Sequence, residues 1–180
     1  MSDFETTIET ARLRMRKPRI EDFSASAAMW ADPEIVRHIS GTPSTVEASW
    51  SRSIRYAGHW TIFGFGYWIV EELQSNAFVG EVGFAYHRRE ITPPIGVPEI
   101  GWVLARSAHG QGYATEAVRA AIGWAQRHIE TDEIACLIAP GNVASIRVAE
   151  KCGFALSSRT SYANSPALIY RRPLRSGGGT

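Results

Sequence analysis

A turn holding two glycines, Gly110 and Gly112, joins the apolar segment Glu99-Ile100-Gly101-Trp102-Val103-Leu104 to a helical pattern beginning near Thr115. This junction, Ser107 to Ala117, constrains the chain more than any other stretch. Apolar residues at Ala117, Val118, Ala121, Ile122 and Ala125 recur at helical spacing. The run Ile134-Ala135-Cys136-Leu137-Ile138-Ala139 after them suits a strand buried on both faces. Strand, helix and buried strand in this order predict a β-α-β crossover. Glycines at such a turn let the backbone approach a ligand closely, and the first N–H groups of the helix lack intrahelical partners. With the helix dipole they make a site for a pyrophosphate. A tight strand-to-helix turn with no ligand has the same sequence. No Lys-Ser/Thr pair follows Gly112, which excludes a Walker A loop, and Thr115 stands where a dinucleotide fingerprint needs its third glycine.

The length of 180 residues suits one domain with a sizeable core. We expect that domain over residues 1–175 and a flexible C-terminal tail over 176–180. A net charge of +1 argues against direct nucleic-acid binding. The opening Met1-Ser2-Asp3-Phe4-Glu5 is acidic and lacks the apolar run of a signal peptide, and no segment reaches the length of a membrane span. A cytoplasmic, membrane-free protein is the expectation. Cys136 and Cys152 lie in apolar surroundings and read as buried free thiols, with a disulfide left as the alternative. The five histidines are scattered without ligand spacing, so no metal is expected.

Along the chain, Leu13 to Lys17 alternates as a first strand closed by Pro18, and Arg19 to Trp30 reads as a helix. A short helical piece follows around Ile35 to Ile39. Ser44-Thr45-Val46-Glu47 matches a capping box and predicts a second main helix ending near Tyr56. Gly66 to Glu72 and Ala77 to Tyr86 read as strands joined by the turn Leu73-Gln74-Ser75-Asn76, hence an antiparallel hairpin. Asn142 is a good cap for a helix from Val143 to about Lys151 that stops at Gly153. Two late strands are expected near Ala155 to Ser161 and Ala167 to Arg172. The outcome is a mixed α/β sheet with early antiparallel hairpins and a central crossover.

Three segments in this order carry a resemblance to the GNAT superfamily of acyl-CoA-dependent N-acetyltransferases. Thr10-Ala11-Arg12-Leu13-Arg14-Met15-Arg16 resembles the opening strand of the subgroup that includes the RimJ and RimL ribosomal-protein acetyltransferases. Glu99 to Leu104 with Gly110-Gln111-Gly112-Tyr113-Ala114-Thr115-Glu116-Ala117 resembles its acetyl-CoA motif, and Asn142 to Phe154 resembles the motif that follows. The resemblance implies an α/β GNAT-like fold. Its sheet would be mixed and mostly antiparallel, with about seven strands, splayed at the centre and flanked by helices. It implies acetyl-CoA as co-substrate, with the pantetheine arm in the splay. Backbone groups near Val103 and Leu104 would pair with that arm as an added strand would. N–H groups of His109, Gly110, Gln111, Gly112, Tyr113, Ala114 and Thr115 would hold the pyrophosphate. Asn142 and Ser145 would reach the arm and the thioester end. A homodimer is common in the family.

Acetyl transfer from a thioester needs a neutral amine, a stabilised oxyanion and a leaving thiolate that receives a proton or a dipole. Direct transfer needs no protein nucleophile. Many relatives place a Tyr acid on the helix after the second motif, and this chain has Ala149 there. Ser145 is the candidate that protonates or hydrogen-bonds the thiolate; its bland reading is a helix residue bonding back to its cap. Glu99 and Glu81 are the candidate bases, directly or through water, each against the reading of a solvated strand carboxylate. Ser107, Arg106 and His109 also depart from the family pattern, which backbone binding tolerates. Arg106, Arg147 and Lys151 are candidate partners for the CoA 3′-phosphate or plain solvated charges. The run Trp50, Trp60, Phe63, Phe65, Tyr67 and Trp68 reads mostly as core. The resemblance implies that some of it walls the acceptor pocket, which the Arg88-to-Pro94 loop would border. No acidic cluster marks a polyamine site. The implied activity is N-acetyl transfer to a primary amine, protein N-terminal or small-molecule; the alternative is a non-catalytic acyl-CoA-binding or sensing module.

Overall fold

The computed structural model describes residues 6–175. The acidic opening at 1–5 and the tail at 176–180 lie outside the described residues. The strands are β1 (Ile8–Glu9), β2 (Leu13–Arg16), β3 (Tyr67–Glu72), β4 (Phe78–Ala85), β5 (Glu99–Leu104), β6 (Glu133–Ile138), β7 (Ala155–Tyr162) and β8 (Ser165–Pro173). The helices are α1 (Phe23–Trp30), α2 (Pro33–Val36), α3 (Val46–Phe63), α4 (Tyr113–His128) and α5 (Val143–Lys151). One eight-stranded sheet runs in the order β1-β2-β3-β4-β5-β6-β8-β7. It is antiparallel throughout except for β5 and β6, which α4 connects in parallel. The eighth strand is the two-residue β1, which pairs Ile8 with Met15.

Local chemistry sets the boundaries. The α3 cap is Thr45, whose side chain accepts from the Ala48 N–H at 3.1 Å. That helix runs past Tyr56 to Phe63 and stops at Gly64, which takes φ +72° and donates back to the Trp60 carbonyl. The helix expected from Arg19 is a 3₁₀ turn at Ile20–Asp22 before α1 proper. Arg16 holds that turn with a forked bond to Asp22 at 2.7 and 2.8 Å and a further bond to Glu71. The short helix expected around Ile35 to Ile39 lies at Pro33–Val36, capped by Asp32. The early hairpin, the central strand and α5 fall where the sequence puts them.

Alternation divides the sheet's two sides. Trp68, Val70, Val82, Phe84, Ile100 and Leu104 join α4 and α5 residues in the main core. Trp60, Trp68 and Trp124 meet edge to face within it, with centroids 5.1 to 5.9 Å apart. Across β4 and β5, Glu81 is opposite Val103, Gly83 opposite Gly101 and Ala85 opposite Glu99. These six therefore share the other side of the sheet, where Tyr56 of α3 packs on Tyr67 and Ala85. Both cysteines are buried and free.

Candidate active site

β5 and β6 register at one pair only, Glu99 with Ala135, while β5 keeps its full ladder to β4 from Glu99 to Leu104. Beyond Glu99 the two central strands therefore diverge. The side of β5 facing the divergence offers backbone groups that an extended amide chain can pair with. The resulting cleft holds about 380 Å³ and is lined by Gly101 and Val103 on β5, Cys136 to Ile138 on β6, and Asn142 and Ser145 on α5. Trp30, Arg52 and Tyr56 close it from the α1 and α3 side, and His87, Arg89 and Tyr162 stand near its Glu99 end.

The glycine turn follows β5 directly. Gly110 and Gly112 take φ +75° and +79°, which L side chains rarely adopt, and open space surrounds the Gly110 Cα. Conformation, not crowding, requires glycine there. Gly112 caps α4 with no side-chain bond, so the N–H groups opening that helix have no capping acceptor. Arg12 braces the turn from β2's approach: it donates to the Gln111 carbonyl at 3.0 Å and to Glu116 at 2.6 and 2.8 Å, and its guanidinium lies 4.6 Å from the Tyr113 ring centre. The Tyr113 hydroxyl donates to Glu72 at 2.8 Å. The side chains of His109 and Gln111 fold back onto the Leu104 and Ser107 carbonyls. The expected His109 N–H is not free, since it donates to the Arg106 carbonyl at 3.1 Å and closes the 3₁₀ turn there. The turn presents backbone N–H groups from Gly110 onward while its side chains are engaged inward, and this donor set fits a pyrophosphate. Arg106 pairs with Asp32 at 2.9 Å, so its guanidinium is already engaged.

Asn142 caps α5 through its Oδ1, which accepts the Ser145 N–H at 3.1 Å. The bond back to the cap uses the Ser145 backbone and leaves its hydroxyl without a hydrogen-bond partner among the described residues. That hydroxyl belongs to a cleft-lining residue. Ala149 is fully buried.

The two candidate carboxylates share one side of the sheet but stand four register positions apart, about 13 Å along the strands. Glu81 is fully buried and takes three donors: Ser26 Oγ at 2.5 Å, Trp30 Nε1 at 2.9 Å and the Tyr56 hydroxyl at 3.0 Å. It sits behind Trp30 and Tyr56, which themselves line the cleft. Glu99 lines the cleft at the point where the strands part and is 4% exposed. Burial pushes its carboxyl above the ordinary range, against the opposing pull of Arg89, whose Nε donates to it at 2.8 Å.

Tyr67 belongs to the aromatic run expected to supply core and pocket walls, and its place is more particular. Its ring stacks on Tyr56 at 4.5 Å, and its hydroxyl lies where a Cβ on Gly101 would stand. Among the described residues that hydroxyl has no hydrogen-bond partner, and burial pushes it above the ordinary phenol range. The glycine at the centre of β5 was the available signal, because a strand glycine often marks a close approach. The described residues contain no group of three or more His, Cys, Asp or Glu side chains placed to hold a metal. No helix among them is long and apolar enough to cross a membrane.

The fold and this cleft define an acyltransferase-like scaffold, and comparison with known proteins gives its family. Residues 12–155 match the model of the acetyltransferase (GNAT) domain, and the chain belongs to that family. It is 32% identical over 174 residues to the uncharacterized protein YkkB of Bacillus subtilis, covering 93% of this chain and 96% of that one. A GNAT-family acetyltransferase structure from Bordetella pertussis superposes with a TM-score of 0.80 at 26% identity, over 93% of this chain and 99% of the other. The spermidine N-acetyltransferase of Vibrio cholerae, solved with CoA and spermine, shares the fold with a TM-score of 0.72 at 16% identity, over 92% and 97% of the two chains.

Proposed function

We propose that this protein moves the acetyl group of acetyl-CoA directly to a primary amine, protein N-terminal or small-molecule. The observation that carries the reading is the β5–β6 splay, which has an unengaged Ser145 hydroxyl on one wall and a buried, raised-pKa carboxyl at its closed end. Acetyl-CoA supplies an activated thioester. In this reading the edge of β5 beside the splay, near Val103 and Leu104, holds the pantetheine amides. The backbone N–H groups of Gly110 to Thr115 hold the pyrophosphate, the His109 N–H being engaged by the Arg106 carbonyl. Asn142 orients the start of α5 so that Ser145 can donate to the departing sulfur. Glu99 receives the proton of the acceptor amine, directly or through one water, and burial raises its affinity for that proton. Glu81 is assigned to positioning: its three bonds hold Ser26, Trp30 and Tyr56 in place. The chain's place among RimJ- and RimL-like enzymes and its cytoplasmic location belong to the same reading.

The test is single-turnover transfer of labelled acetyl to a broad amine panel. The reading expects labelled amine, no labelled protein, and strong loss of transfer in Ser145→Ala and Glu99→Gln with acetyl-CoA binding kept. Acetyl-CoA binding with no turnover on any amine would favour an acyl-CoA-sensing module instead.

A further inference from the structure

We propose that the acceptor amine carries an oxyanion, a carboxylate or a phosphonate, and that Arg52 and Arg55 of α3 bind it. This rests on the N-acetyltransferase reading and narrows its substrate class.

Arg52 and Arg55 are three residues apart on α3, share one face of it and line the cleft. The Arg52 guanidinium lies 3.7 Å from the centre of the Trp30 ring, and its Nη2 donates to Ser44 Oγ at 3.0 Å. Its Nη1 is buried and has no hydrogen-bond partner among the described residues. Among the described residues neither arginine stands in ion-pair distance of a carboxylate. A desolvated guanidinium nitrogen without an acceptor is costly, which makes the missing acceptor informative.

The nearby carboxylates do not supply it. Glu81 is shared among three neutral donors, and Glu99 is taken by Arg89. The cleft lining therefore carries three arginines, Arg52, Arg55 and Arg89, against the single carboxylate of Glu99. His87 adds no charge, because burial first, and then Arg89, Arg55 and His59, push it down to about 3. Positive charge in a partly dewatered cleft attracts an anion and repels a polycation. The planar fork of arginine suits an oxyanion with two equivalent oxygens. Both arginines sit on α3, and no residue of the glycine turn or of α4 lines the cleft they share, so these guanidinium groups make an anion site separate from the turn.

The experiment measures thiol release from acetyl-CoA with α-, β- and γ-amino acids, their carboxamides, aminoalkylphosphonates of matched length, and diamines. Calorimetry follows acetyl-CoA binding and the binding of the N-acetyl acids and N-acetyl amides in wild type, Arg52→Gln and Arg55→Gln. We expect the acids or the phosphonates to exceed the amides and diamines by about tenfold or more in kcat/KM, as a charge-assisted contact implies. The acid and phosphonate arms identify which oxyanion is taken. We expect both variants to lose that advantage with the acetyl-CoA dissociation constant unchanged. Arg55 is exposed, so its variant reports binding without a folding defect. Equal handling of acids and amides, in turnover or in N-acetyl product binding, overturns the proposal. So does a weakened acetyl-CoA affinity in the variants with unaltered acceptor ranking. Failure of the parent reading is distinct: acetyl-CoA does not bind and no amine turns over, while the product-binding arm still measures the anion preference.

Discussion

Replacing Gly101 with Ala puts a methyl group 2.1 Å from the Tyr67 hydroxyl oxygen and 3.2 Å from its Cζ. Carbon and oxygen in contact ordinarily lie about 3.3–3.6 Å apart, so the hydroxyl must withdraw by more than about 1 Å. The ring has little freedom to do so. It stacks on Tyr56 at 4.5 Å with planes 7° apart, and the Tyr67 backbone is pressed against Gly83, where a Cβ would meet Tyr67 Cα at 2.2 Å. Overpacking of this kind costs about 1–3 kcal/mol. Removing the oxygen with Tyr67→Phe leaves a 3.2 Å contact to Cζ and an ordinary 3.6 Å contact to Cε1. Because the hydroxyl has no partner among the described residues, that single change should cost less than about 0.5 kcal/mol. The double variant should therefore be more stable than the sum of its singles by about 1–2 kcal/mol. Urea unfolding followed by tryptophan fluorescence reads all four proteins. A Gly101→Ala variant as stable as wild type, or one whose loss Tyr67→Phe does not relieve, refutes the reasoning.

Glu99→Gln should lower kcat/KM by about 10²–10⁴-fold, the usual range for a proton-transfer group. The base works ionised, so wild-type activity should fall as pH drops through the Glu99 pKa, with a midpoint above the ordinary 4.5; a pH–rate profile flat down to that value contradicts the assignment. Arg12→Ala removes the brace on the glycine turn from the Gln111 carbonyl and Glu116. It should weaken acetyl-CoA binding by about 1 kcal/mol or more by calorimetry, and unchanged affinity would show that the turn holds its shape alone.

Much of the scaffold is legible because its signals are local. The strand Glu99–Leu104, the Asn142 cap and the early hairpin depend on alternation, a cap side chain and turn residues, and all three stand in the structure. The extent of α3 was less legible, since Gly58 inside the pattern lowers its apparent helicity while packing of Trp60 against Trp68 and Trp124 sustains it. β1 is two residues long and exists through pairing with β2, which a two-residue segment cannot announce. At the site, the glycine turn was visible as residue types, but the Arg12 brace joins residues about a hundred positions apart. Glu81 and Glu99 looked alike in sequence. Their difference comes from tertiary partners: α1 and α3 bring three neutral donors to Glu81, while Glu99 meets Arg89 where β5 and β6 part.

The most direct test of the central claim is calorimetric titration of the purified chain with acetyl-CoA, CoA, ATP and NAD. The β5 edge and the glycine turn together require both a pantetheine arm and a pyrophosphate, so acetyl-CoA and CoA should bind at one site per chain, with ATP and NAD far weaker. Binding of ATP or NAD as tight as acetyl-CoA, or no binding of acetyl-CoA, would contradict the account.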